Sequence, residues 1–439
     1  MLPDYLSKAK PNPAAARAPW YKNTAPSYAG IFLWIAFYNS IAAGTIAKGS
    51  LAVCLLALAV AGLLSYALYY LAPAMLGMKT GYPLYVVGSS TFGTRGGYAM
   101  PGLLMGLLQV GWLGVGTFFA AKFILTALGM EARPGTAPFI VTGVVWGYVM
   151  AWIGVMGIQY VAKVATILNF IPLLMLVVVF AKTAPGMAWH VPTEPDPFAA
   201  FTLLVQMVIG FFATAGAAGA DFGTSSRDAR DVKWGGLVGI TLAAVIAGGL
   251  PLLSVAGARV LNPRIQGFNY DTVVAAVGGP LASAMFILFT LACIPPACFS
   301  SFIAGNSFST MIPGVSRMGS TMAGMTVAIV LAVTGVAENL IGFFTIVGAS
   351  FGPICGAMAA DYLRSGKKWA GPRSGINWAG YGAWAVGFAI GILPFLPVPP
   401  EVQRLAQPAV VYSFAAGFGV YWLLAAAGLE PEVVRMPAD

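Results

Sequence analysis

The chain predicts an all-α integral membrane protein of twelve transmembrane helices, and three observations carry that reading. Of its 439 residues 59% are hydrophobic and only 8% charged, against about a quarter charged in soluble globular domains. Apolar runs of about 20 residues, long enough to cross a bilayer as a helix, recur along the whole length. The loops between them are short, so no soluble domain is left over. The expected spans are 28–47, 51–75, 99–128, 138–158, 160–182, 198–220, 235–260, 280–306, 319–337, 340–363, 379–398 and 408–427.

Charge sets the orientation. Lys8, Lys10, Arg17 and Lys22 sit among prolines and alanines in a tail, 1–27, that lacks the apolar core and cleavage site of a signal peptide. With this tail and 428–439 cytoplasmic, 16 of the 23 Lys and Arg fall inside, 6 outside and one, Lys122, within the third helix. That asymmetry follows the positive-inside rule; the expected location is a bacterial or archaeal cytoplasmic membrane. The net charge of +9 is then met by anionic lipid headgroups, not by nucleic acid. Cys54, Cys293, Cys298 and Cys355 all lie in apolar segments and the one histidine, His190, in a loop. The cysteines read as small buried hydrophobes, and neither a metal centre nor an enzyme's nucleophile-and-base pair is offered.

The first and sixth segments are irregular. The first carries Tyr38-Asn39-Ser40 at mid-span and then Ala42-Ala43-Gly44-Thr45; the sixth carries Ala213 to Ala220, rich in Gly and Ala, before Asp221. Gly-interrupted segments at corresponding places point to a transporter built from inverted repeats, here 28–182 (helices 1–5) and 198–364 (helices 6–10), with 379–427 as additions. Close helix packing is the alternative use of such small residues.

In the third segment Gln109, Trp112 and Gly116 fall at i, i+3 and i+7, on one face. A buried amide must satisfy two donors and an acceptor; beside an indole and a glycine it outlines a pocket for a small, flat, hydrogen-bonding molecule. In the eighth, Pro295 and Pro296 should leave the Leu291 and Ala292 carbonyls unpaired. The Ala297 carbonyl and the Ser300 and Ser301 hydroxyls can converge on a hard cation such as Na⁺, or the serines bond their own helix. Asn306, about 7–8 Å further along the axis, can reach a substrate beside the ion.

Other polar stretches read as structural. Segment 77–98 is too glycine-broken to span and should lie at the cytoplasmic surface. Lys122 should snorkel. The 221–231 loop is charge-balanced, and Asp361 to Arg364 should form ion pairs at the cytoplasmic end of helix 10.

The chain resembles the nucleobase:cation symporter-1 family, in its cytosine permease-like branch. The resemblance rests on Gln109-Val110-Gly111-Trp112-x-Gly114-Val115-Gly116, Ala220-Asp221-Phe222, Ala360-Asp361-Tyr362-Leu363 and Ile376-Asn377-Trp378. It implies a LeuT-type 5+5 inverted repeat with broken helices 1 and 6, and sodium-coupled uptake of a flat nitrogen heterocycle held between aromatics of helices 3 and 6. Trp112 matches the first ring and Phe212 the second. Phe211 stands where cytosine permeases place a small polar contact, and Asn306 matches an asparagine of the related hydantoin transporter. Ala297, Ser300 and Ser301 match the helix 8 half of the sodium site. Carbonyls near Ala36 and Asn39 supply the other half, with Ser40 or Asn39 facing substrate. The stretch Ser300 to Ala304 and the paired prolines depart from the cytosine permeases.

The expected function is Na⁺-driven import of a neutral purine, pyrimidine or related heterocycle. An amino-acid site would not need facing aromatics, and a proton relay would use a mid-membrane Asp, Glu or His, which the spans lack. No repeated ring of charges or carbonyls suggests a channel.

Overall fold

The computed structural model describes residues 2–436, with the side chains of 158–160, 162, 164 and 166 left out of the description. Its described residues hold no extended pairing beyond two isolated bridges, Ala18–Ser226 and Arg373–Val433. The chain enters the bundle through α1 (Thr24–Phe32) and a single turn, α2 (Ile35–Tyr38). There follow α3 (Leu51–Thr80), α4 (Leu104–Ala127), α5 (Ala137–Met156), α6 (Ile158–Met187), α7 (Pro197–Ala217) and the short α8 (Gly219–Thr224). The second half contains α9 (Ala229–Leu261), α10 (Tyr270–Gly278), α11 (Ala282–Ala292), α12 (Ile294–Met311), α13 (Arg317–Val333), α14 (Leu340–Arg364), α15 (Trp378–Gly391) and α16 (Ala409–Ala426).

Nine stretches among the described residues are long and apolar enough to cross a membrane, and they coincide with the second to eighth, tenth and twelfth expected spans. The ninth and eleventh are shorter helices, 17 and 14 residues, and the first is interrupted. Val141, Val145 and Trp152 on α5, and Ile167, Phe170 and Leu174 on α6, are exposed at helical spacing, the pattern of lipid-facing sides.

The interruption in the first span lies at Leu33–Trp34, earlier than the polar residues suggested. Trp34 is extended (φ −75°, ψ 131°), so helical bonding lapses: among the described residues the Phe32, Leu33 and Ala36 carbonyls receive no backbone N–H. Beyond Tyr38 the chain continues in turns, with Gly44 at φ +71°, a conformation that favours glycine. The sixth span is barely interrupted. Ala218 keeps φ −63° and ψ −2°, a tightened turn between α7 and α8. Its small residues serve close packing instead: a Cβ on Gly216 would stand 2.7 Å from the Tyr69 Cβ of α3, and one on Gly219 3.0 Å from the Tyr70 ring.

Pro295 and Pro296 also behave differently from expectation. They occupy the first turn of α12, a new helix beginning after Cys293, where a missing N–H costs nothing. The Leu291 carbonyl accepts from a backbone N–H at this junction. Segment 77–98 is buried rather than solvated, with Ser89, Ser90 and Thr91 at most 1% exposed. Asp361 holds it: one carboxylate oxygen accepts from Ser90 (2.6 Å) and Thr91 (3.1 Å), the other from Arg373 (2.9 Å). Arg373 also pairs with Glu430 at 2.9 Å. Asp361 therefore has the ion-pair role its position suggested. Both tails lie on this face, where the Tyr5 hydroxyl donates to the Thr94 carbonyl and the Val434 N–H to the Pro372 carbonyl, each at 2.8 Å. In the interior α4 packs against α12 and α13, while α7 packs against α3 and α14.

Candidate functional site

Trp112, 5% exposed, lies at the centre of a cage of rings drawn from four elements. Phe211 of α7 meets it edge-on at 5.3 Å, Phe343 of α14 edge-on at 4.8 Å, Phe344 tilted at 5.8 Å, and Trp34 at the helix break tilted at 5.4 Å. Offset and edge-on contacts are the favoured ones for such rings. Phe343 reaches the indole because residue 111 is glycine; a Cβ there would stand 2.4 Å from the Phe343 ring. The indole N–H donates to the Thr214 hydroxyl of α7 at 3.3 Å.

One turn before Trp112, Gln109 is 7% exposed, and its amide nitrogen makes only a weak contact with the Met105 sulfur, 3.7 Å. Its carbonyl oxygen has no hydrogen-bond partner among the described residues. A buried amide without protein partners is held at a cost and is free to bind a ligand. Gly116 lies between Trp34 and Ala297, with a Cβ there 3.5 Å and 3.9 Å from their side chains. The face of α4 predicted from spacing is thus turned towards the helix break and α12.

The ring pair is not the expected one. Phe212 stacks on Phe32 (5.5 Å, 10° between planes) and packs against Tyr28, not against Trp112. Adjacent helical residues point about 100° apart, so a one-residue shift exchanges the cage-facing ring for a packing ring. Asn39 and Ser40 also face elsewhere. The Asn39 side-chain oxygen accepts from the Asp271 N–H (3.0 Å) and its carbonyl from the Tyr270 N–H (2.8 Å), while the Ser40 hydroxyl reaches Asn269 at 3.4 Å. Asn306 is turned to Arg317, whose guanidinium stands 3.5 Å from its side-chain oxygen.

On α12 the Ser301 hydroxyl donates to the Ala297 carbonyl at 2.9 Å, as membrane serines often do. Ser300 is 7% exposed and has no protein partner among the described residues. A donating hydroxyl keeps its lone pairs, so the Ser300 and Ser301 oxygens on α12, and separately the unbonded Ala36 carbonyl at the helix break, can each still accept a further bond. Four cage residues were not anticipated: Trp34, Thr214, Phe343 and Phe344. Trp34 adjoins the predicted irregularity and Thr214 lies in the small-residue run, but two phenylalanines in an apolar helix carry no signal of their own.

Residues 11–417 match the family described as permeases for cytosine/purines, uracil, thiamine and allantoin. The chain belongs to this family. It is a transporter of nucleobase-like compounds, not an enzyme. The cytosine permease of Escherichia coli strain K12 is 25% identical over 343 residues, 77% of each chain. Among solved structures, Mhp1, a nucleobase-cation-symport-1 family transporter, closed with bromovinylhydantoin bound, superposes with a TM-score of 0.69 at 17% identity over 95% of each chain. Inward-facing Mhp1 gives 0.71 at 17% over 97% of each. A Na⁺-coupled sialic acid symporter gives 0.58 at 14%, over 98% of this chain and 95% of that one. This permease shares their fold.

Proposed function

We propose that this permease is a sodium-coupled symporter importing a small neutral nitrogen heterocycle: a nucleobase such as cytosine, or a related purine, pyrimidine or hydantoin-like compound. The cage around Trp112, with the uncommitted amide of Gln109 at its edge, carries the reading. Flat rings offer faces for the aromatics and edge groups for the amide, and the absence of a charged side chain from the cage suits a neutral solute. Phe211 takes the place expected for Phe212 as the helix 6 ring. The cage draws on helices 1, 3, 6 and 10, spread over both proposed five-helix repeats of a twelve-span, LeuT-type bundle. Movement of one repeat against the other would open the cage first to one face and then to the other. The charge pattern supports a cytoplasmic face for the termini.

For the coupling ion, Ala297, Ser300 and Ser301 on α12 and the Ala36 carbonyl would hold Na⁺. The ion supplies a positive charge that favours one arrangement of the repeats. Support comes from the unbonded Ala36 carbonyl and Ser300 hydroxyl; the Asn39 carbonyl already accepts from Tyr270 and is the weaker member. The test is uptake of labelled heterocycles into proteoliposomes in Na⁺ or choline at fixed pH. Sodium should tighten substrate binding, and substrate should tighten sodium binding by the same factor. Ser300→Ala with Ser301→Ala should leave weak substrate binding that Na⁺ no longer improves. Equal uptake in Na⁺ and choline by the unaltered protein would replace sodium by protons or by facilitated diffusion.

A further inference from the structure

On the face away from the termini, Lys122 does not simply snorkel. Its ammonium lies 2.6 Å from Asp271 at the start of α10, and the two side chains are 23% and 5% exposed. Asp271 is also where the first span is tied down. Its N–H and that of Tyr270 bond Asn39, Ser40 reaches Asn269, and the Tyr38 and Tyr270 rings meet edge-on at 5.4 Å. The connector between α9 and α11 thus grips both α4 and the segment after the helix break. These are the two elements that bring Trp112 and Trp34 to the cage. Lys122 is ten residues beyond Trp112, about 15 Å along the axis, so the pair lies on the side of the cage away from the termini and does not touch it.

We propose that the Lys122–Asp271 ion pair is a releasable latch that shuts the substrate cage off from the face opposite the termini. Its release is built in. The second Asp271 carboxylate oxygen, the Tyr38 hydroxyl and the Tyr270 hydroxyl are all buried without a partner. Groups in that state lose hydration without gaining a bond. Opening the connector lets water reach all three, so closure is opposed by three unmet polar atoms, and the ion pair is what ties the connector to α4. A purely structural bridge would be expected to satisfy both carboxylate oxygens.

The inference rests on the cage being the substrate site, and its test does not use substrate. Cys293 is fully buried beside Trp34 and Tyr38, beneath the latch. With Cys54, Cys298 and Cys355 changed to Ala, a membrane-impermeant maleimide is added to sealed vesicles from either side. Lys122→Met and Asp271→Asn should each speed Cys293 labelling at least several-fold from the side opposite the termini and not from the other. Lys122→Asp combined with Asp271→Lys should return labelling towards the parent rate. Unchanged labelling in the single variants, or a swap no slower than either, would overturn the latch. If Asp271→Asn does not fold, Lys122→Met decides alone, since Lys122 is the more exposed partner. If labelling responds while cage substitutions leave substrate binding intact, the latch stands and the functional assignment fails.

Discussion

Phe211 and Phe212 are chemically identical neighbours with opposite surroundings, and substitution should separate them. Trp112→Ala or Phe211→Ala removes a ring from the cage; a ring contact is worth about 0.5–1.5 kcal/mol beyond burial. Substrate affinity should fall about tenfold or more in each, read by binding to purified protein. Phe212→Ala removes a ring stacked on Phe32, and deletion of a buried Phe costs about 3–5 kcal/mol. It should lower the melting temperature with little change in affinity among molecules that fold; the reverse ranking would restore Phe212 to the cage. Gln109→Leu removes an uncommitted amide, so it should leave stability unharmed while weakening substrates with a complementary edge by about 1–3 kcal/mol. Equal affinity in wild type and Gln109→Leu would reduce the amide to a packing group. The α4 stripe was legible because 109, 112 and 116 share a face at any helical register. The choice between 211 and 212 was not, since one residue of shift reverses it.

At the level of elements, polar residues marked the irregular first span but not the position of its break. Trp34 leaves the helix ahead of Tyr38-Asn39-Ser40, and those polar side chains serve the connector to α10. The glycine-rich sixth span looked just as irregular, yet its small residues are spent on approach to α3; composition alone does not distinguish a gap from a close contact. Paired prolines likewise open a helix as readily as they break one. His190 gives an element-scale prediction. It caps the turns after Tyr38, its ring nitrogen 3.0 Å from the Ile46 carbonyl. Burial, with Arg259 nearby, lowers its pKa from the ordinary 6.5, against the raising effect of the Ile46 bond. A lowered pKa means the unfolded chain protonates first as pH falls. Stability should therefore decline below about pH 6.5, continuing until the folded protein protonates too. His190→Asn should flatten that part of the melting-temperature profile; parallel profiles for the two proteins would remove His190 from the pH response.

Across the whole molecule, hydropathy located the spans well because a bilayer imposes their length. What it could not reveal was that segment 77–98 is interior, since its hydroxyls and glycines look solvated until Asp361 and Arg373 are seen beneath them. That pair, 3% and 6% exposed, ties α14, segment 77–98 and the C-terminal tail together. Breaking a buried pair from one side costs about 3–5 kcal/mol, whereas replacing both partners by apolar groups costs far less. Here Ser90, Thr91 and Glu430 also depend on the pair, so Asp361→Leu with Arg373→Met should melt below Asp361→Asn, which keeps an acceptor for both hydroxyls, in the same detergent; the opposite order would show that the pair acts alone. The closed ring cage has a kinetic counterpart. Trp112 is covered by protein rings, so a solute arriving from water binds only molecules whose rings have parted, and measured affinity is the intrinsic affinity reduced by that fraction. Observed association rates should level off at high solute concentration, the plateau reporting how often the rings part rather than how well they grip.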